Sequence, residues 1–316
     1  MDSSTVIGRF APSPTGRMHA GNVFTALASW LSVRARGGRW ILRIEDLDPQ
    51  RSRRQWAQLI EDDLQWLGLD FDEGGLEDRG DHGPYSQSRR HDIYLSALER
   101  LHDTGLVYPC RCTRADIMAT QAPHRSDGRV VYAGTCRPAH LPQQWLAPTS
   151  PAAERIYVPD QDIHFTDGLY GPQQVNLAHE CGDFILRRAD GAWAYQLAVV
   201  VDDDAMGVNE VMRGNDLLLS VGQQNYLRDL LGMKPVNYTH LPLLCNTAGQ
   251  RLSKRDSAMS METLRQRFTA RELLGHLSRL MGINPDGSPC SAHELIELYD
   301  LKRIPAMEKI TATFVE

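Results

Sequence analysis

Lysine is almost missing from this chain. Of 34 basic residues among 316, only Lys234, Lys254, Lys302 and Lys309 are lysine; the other 30 are arginine. A codon bias toward arginine would account for that without any function. Even so, a lysine in a motif slot becomes informative, because ammonium and guanidinium differ in hydration, reach and geometry. Long apolar runs are missing too. Leu197–Val201 is among the strongest, far short of the roughly 20 residues that span a bilayer. Met1-Asp2-Ser3-Ser4 offers neither the basic nor the apolar stretch of a secretory signal. The expected compartment is therefore the cytoplasm, with no membrane partner. There is no internal repeat. With 42% hydrophobic and 23% charged residues, collagenous, coiled-coil and disordered classes are excluded. The net charge of −6 argues against a general nucleic-acid coat and leaves a local basic face open.

What is present reads as an α/β protein. The length suits one long domain or two ordinary ones, at roughly 100–200 residues each. Thr5–Phe10 reads as a short buried strand running into the turn-rich Ala11-Pro12-Ser13-Pro14-Thr15-Gly16. Val23, Phe24, Leu27, Trp30 and Leu31 recur at helical spacing until Gly37-Gly38. Arg39–Ile44 reads as a second strand, and Trp56, Leu59, Ile60, Leu64 and Leu67 mark a second helix. A third helix is expected from about Ser88 to Thr104. Alternation of this kind implies parallel pairing. Six of the 17 prolines lie between positions 122 and 160, so that stretch reads as irregular. Beyond it, Ala194–Val201 reads as a buried strand, Val208–Met212 as another, and Leu217–Leu231 as a helix. After Leu264 the signals are helical only. Four parts are expected: half of a sheet at 1–105, an insertion with a cysteine cluster at 106–190, the second half at 191–256, and a helical domain at 257–316.

A strand that feeds a Pro/Gly loop and then a helix builds a phosphate site in α/β sheets, because the helix N-terminus presents unpaired N–H groups. Here the loop Gly8–Gly16 leads to Met18-His19-Ala20-Gly21-Asn22. Gly21 would let a ligand approach the backbone. His19 could donate to a phosphate as charge develops. An ordinary loop with a capping Asn fits the spacing equally well.

Together, Arg9-Phe10-Ala11-Pro12-Ser13-Pro14-Thr15-Gly16 and His19-Ala20-Gly21-Asn22 resemble the first signature of class I aminoacyl-tRNA synthetases in its glutamyl form. The second signature of that family, Lys-Met-Ser-Lys-Ser, has a counterpart in Arg251-Leu252-Ser253-Lys254-Arg255. Its lysine is one of only four. Arg43–Asp48, Ala194–Asp203 and Val211–Leu218 extend the resemblance over residues 5–260 or so. It implies a Rossmann-type parallel sheet with a zinc-bearing insertion and a small helical C-terminal domain. The implied substrates are L-glutamate and ATP, with Mg²⁺. Two carboxylates need cationic partners, which the arginine fork suits. By the resemblance, Arg9, Phe10, Ala11, Pro12, Ser13, Glu45, Tyr195 and Arg213 form the amino-acid pocket, with Glu45 accepting from the α-ammonium. His19, Gly21, Asn22, Ser253 and Lys254 would bind ATP, and His19 and Lys254 would be catalytic. The α-carboxylate would attack the α-phosphate in line, with Mg²⁺, Lys254 and the His19 loop stabilising charge. Positioning and electrostatics would supply most of the rate, so no nucleophilic side chain is expected. The plain alternative for each arginine is a solvated or paired surface residue. Asp202-Asp203-Asp204 reads as a helix start after a strand rather than a metal site.

Cys110, Cys112 and Cys136 fall within 27 positions, while Cys181, Cys245 and Cys290 are scattered. In a reducing compartment, clustered cysteines point to a metal more than to disulfides. Three thiolates suit structural Zn²⁺, which takes four ligands. By general chemistry His124 and His140 are the commoner fourth ligands; the family pattern points to Tyr132. Three unmetallated cysteines are the plain alternative.

Only 62 residues follow Lys254, room for three or four helices but not for the large anticodon-binding region of a bacterial glutamyl-tRNA synthetase. That shortness resembles the glutamyl-Q tRNA(Asp) synthetases. The family activates glutamate without tRNA and transfers it to the queuosine base at the wobble position of tRNA(Asp). The implied partner is the anticodon stem-loop, met by a monomer. A short enzyme charging tRNA(Glu), or a non-catalytic RNA-binding paralogue, are the alternatives. Seven arginines between Arg34 and Arg54 form a candidate phosphate-contacting region, with a solvated helix surface as its plain counterpart.

Overall fold

A computed structural model describes residues 5–119, 131–141, 145, 147–252 and 257–312. In chain order the strands are β1 (Ile7–Phe10), β2 (Arg39–Leu42), β3 (Glu73–Gly74), β4 (Val107–Cys110), β5 (Ala153–Ile156), β6 (Asp162–Asp167), β7 (Gly171–Asn176), β8 (Phe184–Arg187), β9 (Glu210–Gly214), β10 (Asn237–Leu241), β11 (Leu243–Cys245) and β12 (Lys309–Thr311). The helices are α1 (Ala20–Arg34), α2 (Arg54–Leu67), α3 (His91–Asp103), α4 (Arg114–Ala119), α5 (Leu177–Glu180), α6 (Tyr195–Ala205), α7 (Ser220–Leu231), α8 (Met261–Arg267), α9 (Ala270–Leu280) and α10 (Ala292–Ile296).

Seven strands form the main sheet in the order β3-β2-β1-β9-β10-β6-β7. Neighbours from β3 to β6 run parallel, and β7 returns antiparallel as the hairpin partner of β6. The α/β architecture with a largely parallel sheet is thus as the alternation implied. The β6–β7 hairpin comes from within residues 106–190 yet pairs with the main sheet. A separate antiparallel sheet, β4-β5-β8, carries Cys110 at the end of β4.

The helices show why their sequences fold as they do. In α2 the buried Ala57, Ile60, Leu64 and Leu67 recur every three or four residues, a single apolar face. In α1 nearly the whole circumference is buried, from Ala20 to Val33, since it packs between β1, β9 and α10. That helix sits in the larger apolar cluster, its Trp30 alongside Trp40, Leu42, Leu273 and Leu277.

Three expectations are corrected. The segment 194–201 is not a strand: Tyr195–Ala205 is a helix, with Leu197 through Val201 all buried. A short apolar run has no period, so a helix buried on all sides and a buried strand look alike in sequence. Asp202 and Asp203 accordingly lie in the last turns of that helix rather than at a helix start. The C-terminal part is not helical only: β12 pairs in parallel with β11. A three-residue strand is too short to leave a periodic signature.

Candidate active site

The chain leaves β1 toward β2 and β3 on one side, while β9 and β10 lie on the other. Where connections diverge like this, a crevice opens at the carboxyl ends of the two central strands. A cavity of about 500 Å³ lies there. It is lined by Arg9, Phe10, Ala11, Pro12 and Ser13 from the end of β1 and its loop, and by His19, Gly21 and Asn22 at the start of α1. Glu45 beyond β2, Tyr195 at the first turn of α6 and Arg213 on β9 complete the set. All eleven described residues assigned from the sequence to glutamate or ATP therefore meet in one cavity. Arg251 and Leu252 line its edge; Ser253 and Lys254 lie outside the described residues.

The start of α1 is fixed by reciprocal capping. His19 is the N-cap; its Nδ1 accepts from the Gly21 N–H at 3.1 Å, and Asn22 Oδ1 accepts from the His19 N–H at 3.1 Å. An Nδ1 that accepts is unprotonated, so the neutral ring carries its proton on Nε2. A Cβ on Gly21 would stand 3.0 Å from His19 Cε1. The close approach at position 21 is therefore made by the imidazole itself.

Beneath the cavity lies a network of buried charge whose pairings the sequence did not indicate. Arg43 is wholly buried, with Nη1 2.7 Å from Asp203 Oδ1 and Nη2 3.1 Å from Glu45 Oε1. Arg9 Nε lies 3.4 Å from the same Asp203 oxygen. Asp202 accepts from Arg90 Nε at 2.6 Å, from Gln87 Nε2 at 2.7 Å and from the Tyr94 hydroxyl at 2.9 Å. Burial works against the Asp203 carboxylate, but Arg43, Arg9 and Arg228 hold it down at about 2. Glu45 goes the other way: burial lifts its carboxyl above the usual range despite the opposing pull of Arg43 and Arg9. The only sequence signal of Asp202 and Asp203 was their place in a triple Asp after an apolar run. Arg213 is held differently. Its Nε donates to His240 Nε2 at 3.0 Å, and its guanidinium stacks 5.2 Å from the centre of the Tyr238 ring. Its Nη1 is buried and has no partner among the described residues.

The Sγ atoms of Cys110, Cys112 and Cys136 all lie within 4.8 Å of one another. Tetrahedral Zn²⁺ with bonds of about 2.3 Å spaces its sulfurs by about 3.8 Å, so this donor set fits such an ion. Cys112 and Cys136 approach to 3.4 Å, and the Tyr132 hydroxyl stands 3.5 Å from Cys110 Sγ while accepting from the Cys136 N–H at 2.8 Å. His140 is not part of the group, and His124 lies outside the described residues. Gly182 (φ 66°) lets the Tyr132 backbone come close; a Cβ there would stand 2.2 Å from Tyr132 O.

Much of the arginine-rich stretch is paired, although Arg54 is exposed and lines a second cleft with Arg53 and Arg89. Arg34 pairs with Asp70 and Asp72, Arg36 with Glu210, Arg39 with Glu73, and Arg51 with Asp48. Arg43 is buried, and Arg53 donates to the backbone carbonyls of Pro49 and Ser52. No helix among the described residues is long and apolar enough to cross a membrane.

Comparison with known proteins agrees with this geometry. The model of class I tRNA synthetases (E and Q), catalytic domain, matches residues 5–313. The glutamyl-Q tRNA(Asp) synthetase of Symbiobacterium thermophilum is 47% identical over 305 residues, covering 94% of this chain and 93% of that protein. Its namesake from Nitratidesulfovibrio vulgaris is 43% identical over 308 residues, covering 96% and 95%. The crystal structure of a glutamate-tRNA synthetase from Elizabethkingia anophelis aligns with a TM-score of 0.82 at 28% identity, over 98% of this chain and 68% of that one. With its first signature and two buried arginines gathered at one crevice, the chain belongs to the class I tRNA synthetases of the glutamate and glutamine type, and within them to the glutamyl-Q tRNA(Asp) synthetases.

Proposed function

We propose that the chain activates L-glutamate with ATP and transfers it to the queuosine base at the wobble position of tRNA(Asp). The observation that carries this reading is identity of 43–47% over nearly the whole chain with relatives of that name. The cavity supplies the chemistry. Arg9 and Arg213 offer cationic partners for two carboxylates, and Glu45 an acceptor for the α-ammonium. Tyr195 and Ser13 add neutral hydrogen bonds, with Phe10, Ala11 and Pro12 shaping the wall. ATP, as its magnesium complex, lies against His19, Gly21 and Asn22, where α1 presents its N-terminus. The His19 Nε2–H then meets the phosphates. Ser253 and Lys254 are assigned to the phosphates from sequence alone. The glutamate α-carboxylate attacks the α-phosphorus, and pyrophosphate leaves. Catalysis is by positioning and fixed charge, with no covalent protein intermediate.

Cys110, Cys112 and Cys136, with Tyr132 as fourth ligand, would hold Zn²⁺ as a structural clamp on the small sheet. Protein purified without chelator is expected to contain about one zinc per chain, and Cys110→Ser to lose it. A zinc content near zero would remove the site. The RNA partner on this reading is the anticodon stem-loop, met by a cytoplasmic monomer. The four parts divide near residues 105, 190 and 256.

The alternative, charging of tRNA(Glu), has in its favour the match to a glutamate-tRNA synthetase structure. Supplying labelled glutamate, ATP and either queuosine-containing tRNA(Asp) or tRNA(Glu) separates the two. Label on the first, removable with the modified base, is expected; label on tRNA(Glu) alone would overturn the proposal.

A further inference from the structure

We infer that Asp167 and His240 are positioning residues for Arg213, forming a hydrogen-bonded line across three neighbouring strand ends that fixes the guanidinium for a glutamate carboxylate. The inference rests on the glutamate reading above for its ligand, though not for its geometry. Asp167 ends β6, His240 lies on β10, and Arg213 lies on β9 directly opposite His240 in the strand register. All three are buried, His240 completely.

Every bond in this line has one permitted direction. Arginine only donates and a carboxylate only accepts. Arg213 Nε donates to His240 Nε2 at 3.0 Å, so that nitrogen carries no proton. His240 Nδ1 lies 2.6 Å from Asp167 Oδ2 and must carry the proton. The imidazole is therefore neutral, in the Nδ1–H form. Asp167 is pinned in turn: its Oδ1 accepts from the N–H groups of Leu169 and Tyr170, both at 3.0 Å, and Oδ2 also accepts from the His240 N–H at 3.1 Å. A second proton, placed on Nε2, would set two donors and two cations face to face.

The surroundings select this form. The charged groups that bear on the ring are Asp167 on β6, Arg213 on β9 and Arg9 on β1, with Tyr238 beside it on β10. Burial lowers the tendency of His240 to take a second proton, and Arg213 and Arg9 add to that effect while Asp167 opposes it. Arg213 Nη2 donates to Leu217 O at 3.3 Å, and Tyr238 supports the face of the guanidinium. The Arg213 plane is thus held at Nε, at Nη2 and from below, while Nη1 keeps no partner among the described residues. A histidine oriented by a carboxylate to hold another group is the same device that orients imidazoles in catalytic triads.

Two readouts on the full chain test this. In glutamate-dependent ATP–pyrophosphate exchange, His240→Leu removes the acceptor at similar volume, and Asp167→Asn places an amide nitrogen against Nδ1, driving the proton to Nε2. Each is expected to raise KM for glutamate by about 10- to 100-fold, the scale of one lost hydrogen bond to a charged group, with KM for ATP little changed. His240→Gln, which keeps an acceptor, should recover part of the loss. Independently, ¹⁵N NMR of histidine-labelled protein, with His240 assigned from the Gln variant, should show bare Nε2 in the native chain and protonated Nε2 in D167N. A protonated Nε2 in the native chain, or unchanged glutamate KM in both variants, would overturn the inference, as would equal loss of both KM values with loss of fold. Absence of glutamate-dependent exchange in the native chain would instead defeat the glutamate reading, and the NMR signature alone would then decide the line.

Discussion

Glu45 holds a carboxyl where burial disfavours charge, yet an α-ammonium needs it ionised. The direction of its shift fixes the sign of a pH effect. With its carboxyl raised above the usual range by burial, ionisation is lost earlier than in water as pH falls. KM for glutamate is therefore expected to climb as pH drops toward the acid limb, starting above the range of an ordinary glutamate. Glu45→Gln should show a higher KM at neutral pH and a flatter limb. A Gln variant with the native limb would assign the titration to another group. The residues lining the cavity were legible in sequence because they fall in the motifs that carry the family resemblance. Their counter-ions were not. Asp203 lies 160 positions from Arg43 and 194 from Arg9, and no local pattern encodes a pairing at that separation. The pairing matters because an arginine buried without a counter-ion costs several kcal/mol; Asp203 is what allows Arg9 to sit at the cavity at all.

Helix α1 joins two roles that usually compete. Its first turn closes on itself through His19 and Asn22, and the same turn faces the cavity. Glycine at position 21 costs helix stability of up to about 1 kcal/mol relative to alanine, so its presence needs a reason, and the His19 ring supplies one. Gly21→Ala is expected to leave thermal stability unchanged or slightly higher, while displacing the ring and lowering pyrophosphate exchange several-fold. Normal exchange in a folded G21A would show that the ring can move aside without consequence. The strand–loop–helix unit around α1 could be read ahead of the structure because its turn residues and apolar period agree. Helix α6 could not, because Leu197–Val201 is buried on every side and carries no period. Tyr195 was nonetheless found, since its identity depended on a motif and not on the type of element bearing it.

The sheet order explains how residues from position 9 to position 213 reach one crevice: β1 and β9 are neighbours although 200 residues separate them in the chain. The alternation of strands and helices made the fold class legible, but not the joining of a hairpin from the middle of the chain to the edge of the main sheet, nor the short strand near the C-terminus. That last strand ties a distant part of the chain to the cavity. Leu243 and Leu244 line the cavity on one side of β11, while the other edge of β11 receives β12, where the Ala312 N–H donates to Cys245 O at 2.8 Å. This hydrogen bond is a built-in reporter. Its amide exchanges with solvent deuterium only when β11 and β12 part. Ligands that brace the cavity should slow that exchange, by up to roughly a hundredfold at concentrations 100 times Kd. Mass spectrometry of deuterium uptake around residue 312 would then follow occupancy by glutamate or ATP without a catalytic assay, and an unchanged rate on saturation would mean that the two strands open independently of the crevice.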